Sequence, residues 1–201
     1  MVDIGKGIQR SFELFTKNAG LLIPAGIVVI LISIFTFGIL GGIMMGGFLM
    51  LCLKVMRGEK GEFNEIFTHF DKFVPTFLLT IMVYIPFTII IISLIPLLGG
   101  LFAFVAGPLV NIAYAFALIL IIEKNLAPVD AFKEAFTTIT AKNPVMTWVY
   151  VFVCGILSFV GSIACFVGVL ATLPFAQIAM AVAYNELYNN TPVTPSPSVE
   201  A

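Results

Sequence analysis

A chain of 201 residues that is 60% hydrophobic and only 10% charged, with a mean hydropathy of +1.11, lies outside soluble globular usage and reads as an integral membrane protein. Ten Lys and Arg stand against eleven Asp and Glu, a net charge of −1, so no basic patch is available and nucleic acid is not an expected partner. One His, and three Cys without C-x-x-C spacing, do not make the ligand set of a metal centre, and no cofactor is expected.

In chain order, an amphipathic start, "IGKGIQRSFELFTKN", places Ile4, Ile8, Phe12 and Phe15 on one helical face and Lys6, Arg10, Glu13 and Lys17 off it. A stretch without any formal charge follows from Asn18 to Leu53. Two more such stretches run from Phe73 to Ile122 and from Asn143 to Asn185. Each exceeds the ~20 apolar residues of one bilayer crossing, so each is expected to fold as two helices joined by a tight turn. The turns fall in "FTFGILGG", "LIPLLGG" and "SFVGSIACFVG", where Gly and Pro interrupt the apolar pattern. The expected fold is therefore all-α and polytopic, with about six transmembrane helices in three hairpins. At ~1.5 Å per residue the first stretch reaches about 54 Å as helix, slightly less than two ~30 Å crossings, which leaves two readings of the first hairpin open: fully spanning, or shallow or re-entrant.

Each hairpin is preceded by a version of the same amphipathic phrase. The second places Phe63, Ile66, Phe67, Phe70 and Phe73 on one face, away from Glu62, Glu65, His69 and Asp71. The third uses Phe132, Phe136 and Ile139 after "PVD", with Asp130 as the expected N-cap. These segments read as helices lying in the membrane interface. The repeat continues into the hairpins: "GGFLMLCLKVMRGE" (46–59) aligns without gaps on "LPFAQIAMAVAYNE" (173–186), pairing Phe48 with Phe175 and Glu59 with Glu186, and "GPLVNIAYAFALILIIE" (107–123) is a longer middle copy. One membrane domain, 1–188, thus divides into pseudo-repeat units of about 1–58, 59–124 and 125–188, and 189–201, rich in Pro, Ser and Thr, is expected to be a disordered tail. All Lys and Arg lie in the segments outside the hairpins. By the positive-inside rule those segments, including Lys60 and Lys133, and both termini face the cytoplasm of a multi-pass cell-membrane protein, with Gly41 and Gly99 toward the other side.

The stretch "GGIMMGGFLMLCLKVMRGEKGEFNEIFTHFDKF" resembles the Gly-rich helix, RGE exit and F-x-x-F-x-x-F segment of several uncharacterised prokaryotic six-helix membrane families. "AFKEAFTTITAKNPVMTWVYVF" and "FVGVLATLPFAQIAMAVAYNELY" are similar to the C-terminal half of those families, including the membrane domain joined to some glycerophosphodiester phosphodiesterases. The resemblance implies the six-helix architecture and a prokaryotic origin. It carries over no catalytic residue, and the soluble phosphodiesterase domain of those fusions has no counterpart here.

Chemistry is sparse. His69 sits on the polar side of an amphipathic segment, and Cys52, Cys154 and Cys165 lie in apolar runs as small hydrophobes. No Asp, Glu, Lys, Arg or His interrupts the runs, which disfavours ion-coupled transport and intramembrane acid–base or nucleophilic catalysis. The candidate intramembrane polar contacts are Asn111 and Gln177, each three residues after a proline, Pro108 and Pro174. Such amides bond between helices or cap carbonyls freed at a proline kink. Gly42 and Gly46 form a small-x-x-x-small pair suited to close helix packing, and Trp148, Tyr150, Tyr184 and Tyr188 read as interfacial anchors. The expected function is a non-catalytic membrane scaffold or accessory factor with lipids, and a protein at the cytoplasmic face, as partners. The alternative is a carrier or pore for a small or lipid-like substrate.

Overall fold

A computed structural model describes residues 4–93, 96–142, 144–163 and 166–188. It is helical throughout, with no strand among the described residues: α1 (Ile4–Phe35), α2 (Gly41–Arg57), α3 (Phe73–Ser93), α4 (Pro96–Lys124), α5 (Pro128–Lys142), α6 (Pro144–Ile163) and α7 (Phe166–Tyr188). Three helical stretches are long and apolar enough to cross a bilayer, Gly7–Phe35, Phe63–Ile90 and Phe102–Lys124. A fourth results if Pro128–Ala141 and Val145–Ile156, which meet at 106°, form one broken span. The expected tail 189–201, part of the second and third turns, and Cys165 lie outside the described residues.

Local chemistry sets the breaks. In α1 the helical backbone lapses at Asn18 (φ −117°, ψ 15°), where the charge-free stretch begins, and the Asn18 amide donates to the Leu14 carbonyl at 2.9 Å. That side chain bonds the backbone of its own helix and marks the bend between amphipathic start and apolar run. α2 closes on Gly58 at φ +81°, with the N–H groups of Gly58 and Glu59 donating to Val55 and Lys54 carbonyls at 3.1 and 3.0 Å. This is a left-handed glycine cap, and Lys54 and Arg57 sit in the last turn, where the helix dipole favours cations.

The amphipathic segments differ from expectation in instructive ways. The second is not an α-helix but two short 3₁₀ turns, Phe63–Phe67 and Phe70–Lys72. The link from Gly58 back to α3 is short and folds against α2: Ile66 is fully buried, and its carbonyl presses on Gly47. The apolar face therefore splits, with Ile66 inward and Phe63, Phe67 and Phe70 exposed, their rings spaced 6.4 Å apart in sequence. In α5 the helix begins at Pro128, so Asp130 is not the N-cap but a first-turn acid. Proline's fixed φ and missing N–H suit the first helical position, and the carboxylate still meets the positive end of the dipole. The buried face of α5 is Ala131, Ala135 and Ile139, while Phe136 points outward. In α1 likewise Ser11 is buried and Phe12 exposed. Small residues let these segments lie close on the bundle, which leaves aromatic rings on the outside.

The core centres on α2, α4 and α7, which touch one another. Each is packed by its own partner: α1 on α2, α3 on α4 and α6 on α7. Each first helix also reaches a neighbouring pair, α3 on α2, α6 on α4 and α1 on α7. From Ile112 to Ile122 every α4 side chain is buried, the mark of a helix surrounded on all sides. The α3 stretch, by contrast, has only 17% of its most apolar window buried within the chain, against 61% for α4, so α3 lies at the periphery. The glycines of α2 serve separate neighbours. A Cβ on Gly42 would stand 2.5 Å from the Thr80 hydroxyl of α3, and one on Gly46 2.8 Å from Ile122 of α4. The Gly42/Gly46 pair thus permits close approach, but to two helices rather than along one seam.

Candidate functional site

The polar side chains collect where α2, α4 and α7 end. Glu123, at the end of α4, accepts from Arg57 Nη2 of α2 through Oε1 at 2.6 Å and from the Tyr184 hydroxyl of α7 through Oε2 at 3.0 Å. In the gap-free alignment of 46–59 on 173–186, Arg57 and Tyr184 occupy the same place, and both meet on Glu123. Tyr184 is 1% exposed, stacked on Tyr188 at 4.5 Å and edge-on to Phe116 at 5.3 Å. Its ring is held by packing while its hydroxyl addresses the carboxylate.

Ion pairs extend this rim. Lys124 bonds Glu134 of α5 at 3.0 Å and lies 5.2 Å from the Tyr188 ring centroid, a cation–π contact. Lys54 bonds Glu65 at 2.8 Å, tying α2 to the first 3₁₀ turn, and this bond holds the Lys54 ammonium above its ordinary pKa. Exposed pairs of this kind contribute about 0 to 1 kcal/mol each. Their effect is geometric: they fix which helix ends lie side by side. Glu123 has both oxygens engaged, an arrangement suited to clamping helices.

Away from the rim the interhelical bonds come from hydroxyl and indole groups. Tyr114 of α4 and Thr80 of α3 share a hydrogen bond of 2.9 Å, with Tyr84 edge-on to Tyr114 at 5.0 Å. The Tyr150 hydroxyl of α6 donates to the Ala179 carbonyl of α7 at 3.1 Å, and Ser11 Oγ lies 3.5 Å from it. Trp148 donates from Nε1 to the Val105 carbonyl at 2.8 Å, just before Pro108 in α4, and stacks on Phe152 at 4.8 Å. The proline-bearing stretch of α4 is therefore bonded by an indole, a role expected of an amide.

The two amides stand apart from these bonds. Asn111, on α4, is exposed, Gln177, on α7, is half-buried, and neither makes a side-chain hydrogen bond among the described residues. Trp148, Tyr150 and Tyr184, expected only as anchors, also join helices. The signal for Tyr184 was its alignment opposite Arg57 when 46–59 is set on 173–186. Cys52 and Cys154 are buried thiols, and His69 is half-buried between the 3₁₀ turns. No group of three His, Cys, Asp or Glu side chains gathers among the described residues.

Helices of this length and apolarity around a packed centre define an all-α protein of membrane type. Comparison with protein families, with curated proteins and with solved structures returned no match.

Proposed function

We propose that the protein is a non-catalytic integral membrane scaffold or accessory factor, built of three pseudo-repeated helix pairs that enter the membrane from the cytoplasmic side, with both termini on that side. The observation that carries this reading is the packed centre. α4 is buried on every side from Ile112 to Ile122 between α2 and α7, themselves apolar and buried, where a carrier would need a polar path. The order of neighbouring pairs supports a threefold repeat, as does the meeting of Arg57 and Tyr184 on Glu123. Exposed Phe12, Phe63, Phe67, Phe70 and Phe136 around the charged rim suit membrane lipid, and the paired charges beside them suit a protein partner at the cytoplasmic face. The resemblance to prokaryotic six-helix families agrees with this reading and with the cell membrane as its site.

A carrier or pore for a small or lipid-like substrate is the second reading. It is favoured by the prolines inside α1, α3, α4 and α7 and by the unbonded amide of Asn111. Purification in native-lipid nanodiscs with mass spectrometry of bound molecules separates the two. The scaffold requires a recurrent protein or lipid partner. A solute flux in proteoliposomes that is lost on changing Asn111→Leu and Gln177→Leu, with folding intact, would overturn it. Labelling of a cysteine at Lys60 from outside intact cells would overturn the orientation.

A further inference from the structure

We propose that the turn between α1 and α2 does not emerge on the far side of the membrane: residues 34–39 form an apolar tip that ends within the hydrocarbon and is solvated by lipid acyl chains. The first pair is then a re-entrant hairpin. This goes beyond the scaffold reading and is independent of it.

The backbone N–H donors of the turn are satisfied from within. The N–H groups of Thr36, Phe37, Gly38, Ile39 and Gly41 donate to the carbonyls of Ile32, Ile34, Ser33, Thr36 and Gly38 at 2.7 to 3.0 Å. The Leu40 N–H donates to Thr36 Oγ1 at 3.3 Å, and that hydroxyl donates to the Ile32 carbonyl. Ser33 Oγ donates to Val29 at 2.7 Å. A turn in water has no need to bond every donor inward. One in hydrocarbon does, because nothing else there can accept.

The side chains make the complementary statement. Ile34, Phe35, Phe37 and Ile39 are all exposed, Phe37 at 95%, so none of them is held by packing in the chain. Phe37 also adopts φ +52°, a left-handed conformation that Gly and Asn tolerate far better than a bulky aromatic. An aqueous turn gains nothing from Phe at that position. A hydrocarbon-embedded turn gains the transfer of the ring out of water.

Length agrees. From Gly41 to Lys54, the first charge after the turn, α2 rises about 20 Å, well short of a ~30 Å hydrocarbon core, and any tilt shortens its reach. Lys54 is held at the charged rim by its 2.8 Å bond to Glu65, which keeps that end of α2 from being drawn inward.

The test uses full-length protein in phospholipid vesicles, in a background of Cys52→Ala, Cys154→Ala and Cys165→Ala, with single nitroxide-labelled cysteines at Phe37, Ile39, Leu31 and Lys60. Collision rates with oxygen and with a neutral nickel chelate are compared. Nickel access at positions 37 and 39 is expected to be about fivefold or more below that at 60, with an oxygen-to-nickel ratio like that at Leu31, as hydrocarbon depth requires. Nickel access at 37 and 39 equal to that at 60 would overturn the proposal. An independent measurement is the stability of Phe37→Asn in the same vesicles. Asparagine suits the left-handed backbone, so an aqueous tip requires a more stable variant, and that result also overturns the proposal. A hydrocarbon tip requires a less stable one.

Discussion

Replacing Gly47 by alanine puts a methyl group where backbone meets backbone in the core. A Cβ at Gly47 would collide with the Ile66 carbonyl oxygen and stand 3.0 and 3.1 Å from the Ile66 C and Cα atoms. Because these are main-chain atoms, no rotamer change relieves the contact, and the first 3₁₀ turn must move outward. Moving it loosens Ile66, now fully buried, and strains the 2.8 Å Lys54–Glu65 bond across the same gap. Overpacking of this kind costs about 1 to 3 kcal/mol. Partial exposure of Ile66 adds up to about 1 kcal/mol, a fraction of its burial energy. Alanine's better helix propensity returns about 0.5 to 1 kcal/mol, so the expected net loss is about 0 to 3.5 kcal/mol, or about 1 to 4 kcal/mol relative to a control that gains the same propensity. The measurement is reversible unfolding in mixed micelles by SDS titration, with Gly155→Ala as control because a Cβ there meets nothing within 4 Å. If Gly47→Ala is as stable as Gly155→Ala, the turn does not pack on α2 as described.

Other perturbations address the rim and the interior. Tyr184→Phe and Arg57→Met both remove a bond to Glu123, and in a double-mutant cycle they are expected to couple by at least about 0.5 kcal/mol. Strict additivity would show that the carboxylate does not join α2 to α7. Trp148→Phe keeps the stack on Phe152 but deletes the bond to Val105, and a loss of about 1 kcal/mol in the same titration is expected. No loss would mean the Val105 carbonyl is already satisfied within α4. Gly58→Ala meets no steric contact yet forces alanine to φ +81°, so a loss of about 1 kcal/mol is expected from the helix cap alone, and a stabilised variant would refute the left-handed assignment.

The helices and their apolarity were legible in composition and charge spacing alone, because exclusion of charge from hydrocarbon is a property of each residue taken singly. The break at Asn18, where the charge-free stretch begins, and proline at the start of α5 follow equally from short-range chemistry. Which face of an amphipathic segment is buried was not legible. Hydrophobic periodicity groups Phe12 with Ile8 and Phe136 with Ile139, but when a second apolar solvent is present a large ring gains as much from lipid as from the core. Close approach instead selects Ser11, Ala131 and Ala135. The form of the second segment depended on Gly47 admitting the Ile66 carbonyl, a contact between residues on different elements that no local pattern encodes. Which polar groups bond between helices was not legible for the same reason. Asn111 and Gln177 carry the strongest intrinsic demand for a partner, yet whether a partner is within 3 Å is decided by how helices far apart in the chain come to lie together. That geometry brings Trp148 to Val105 and Tyr184 to Glu123, and leaves the amide of Asn111 exposed.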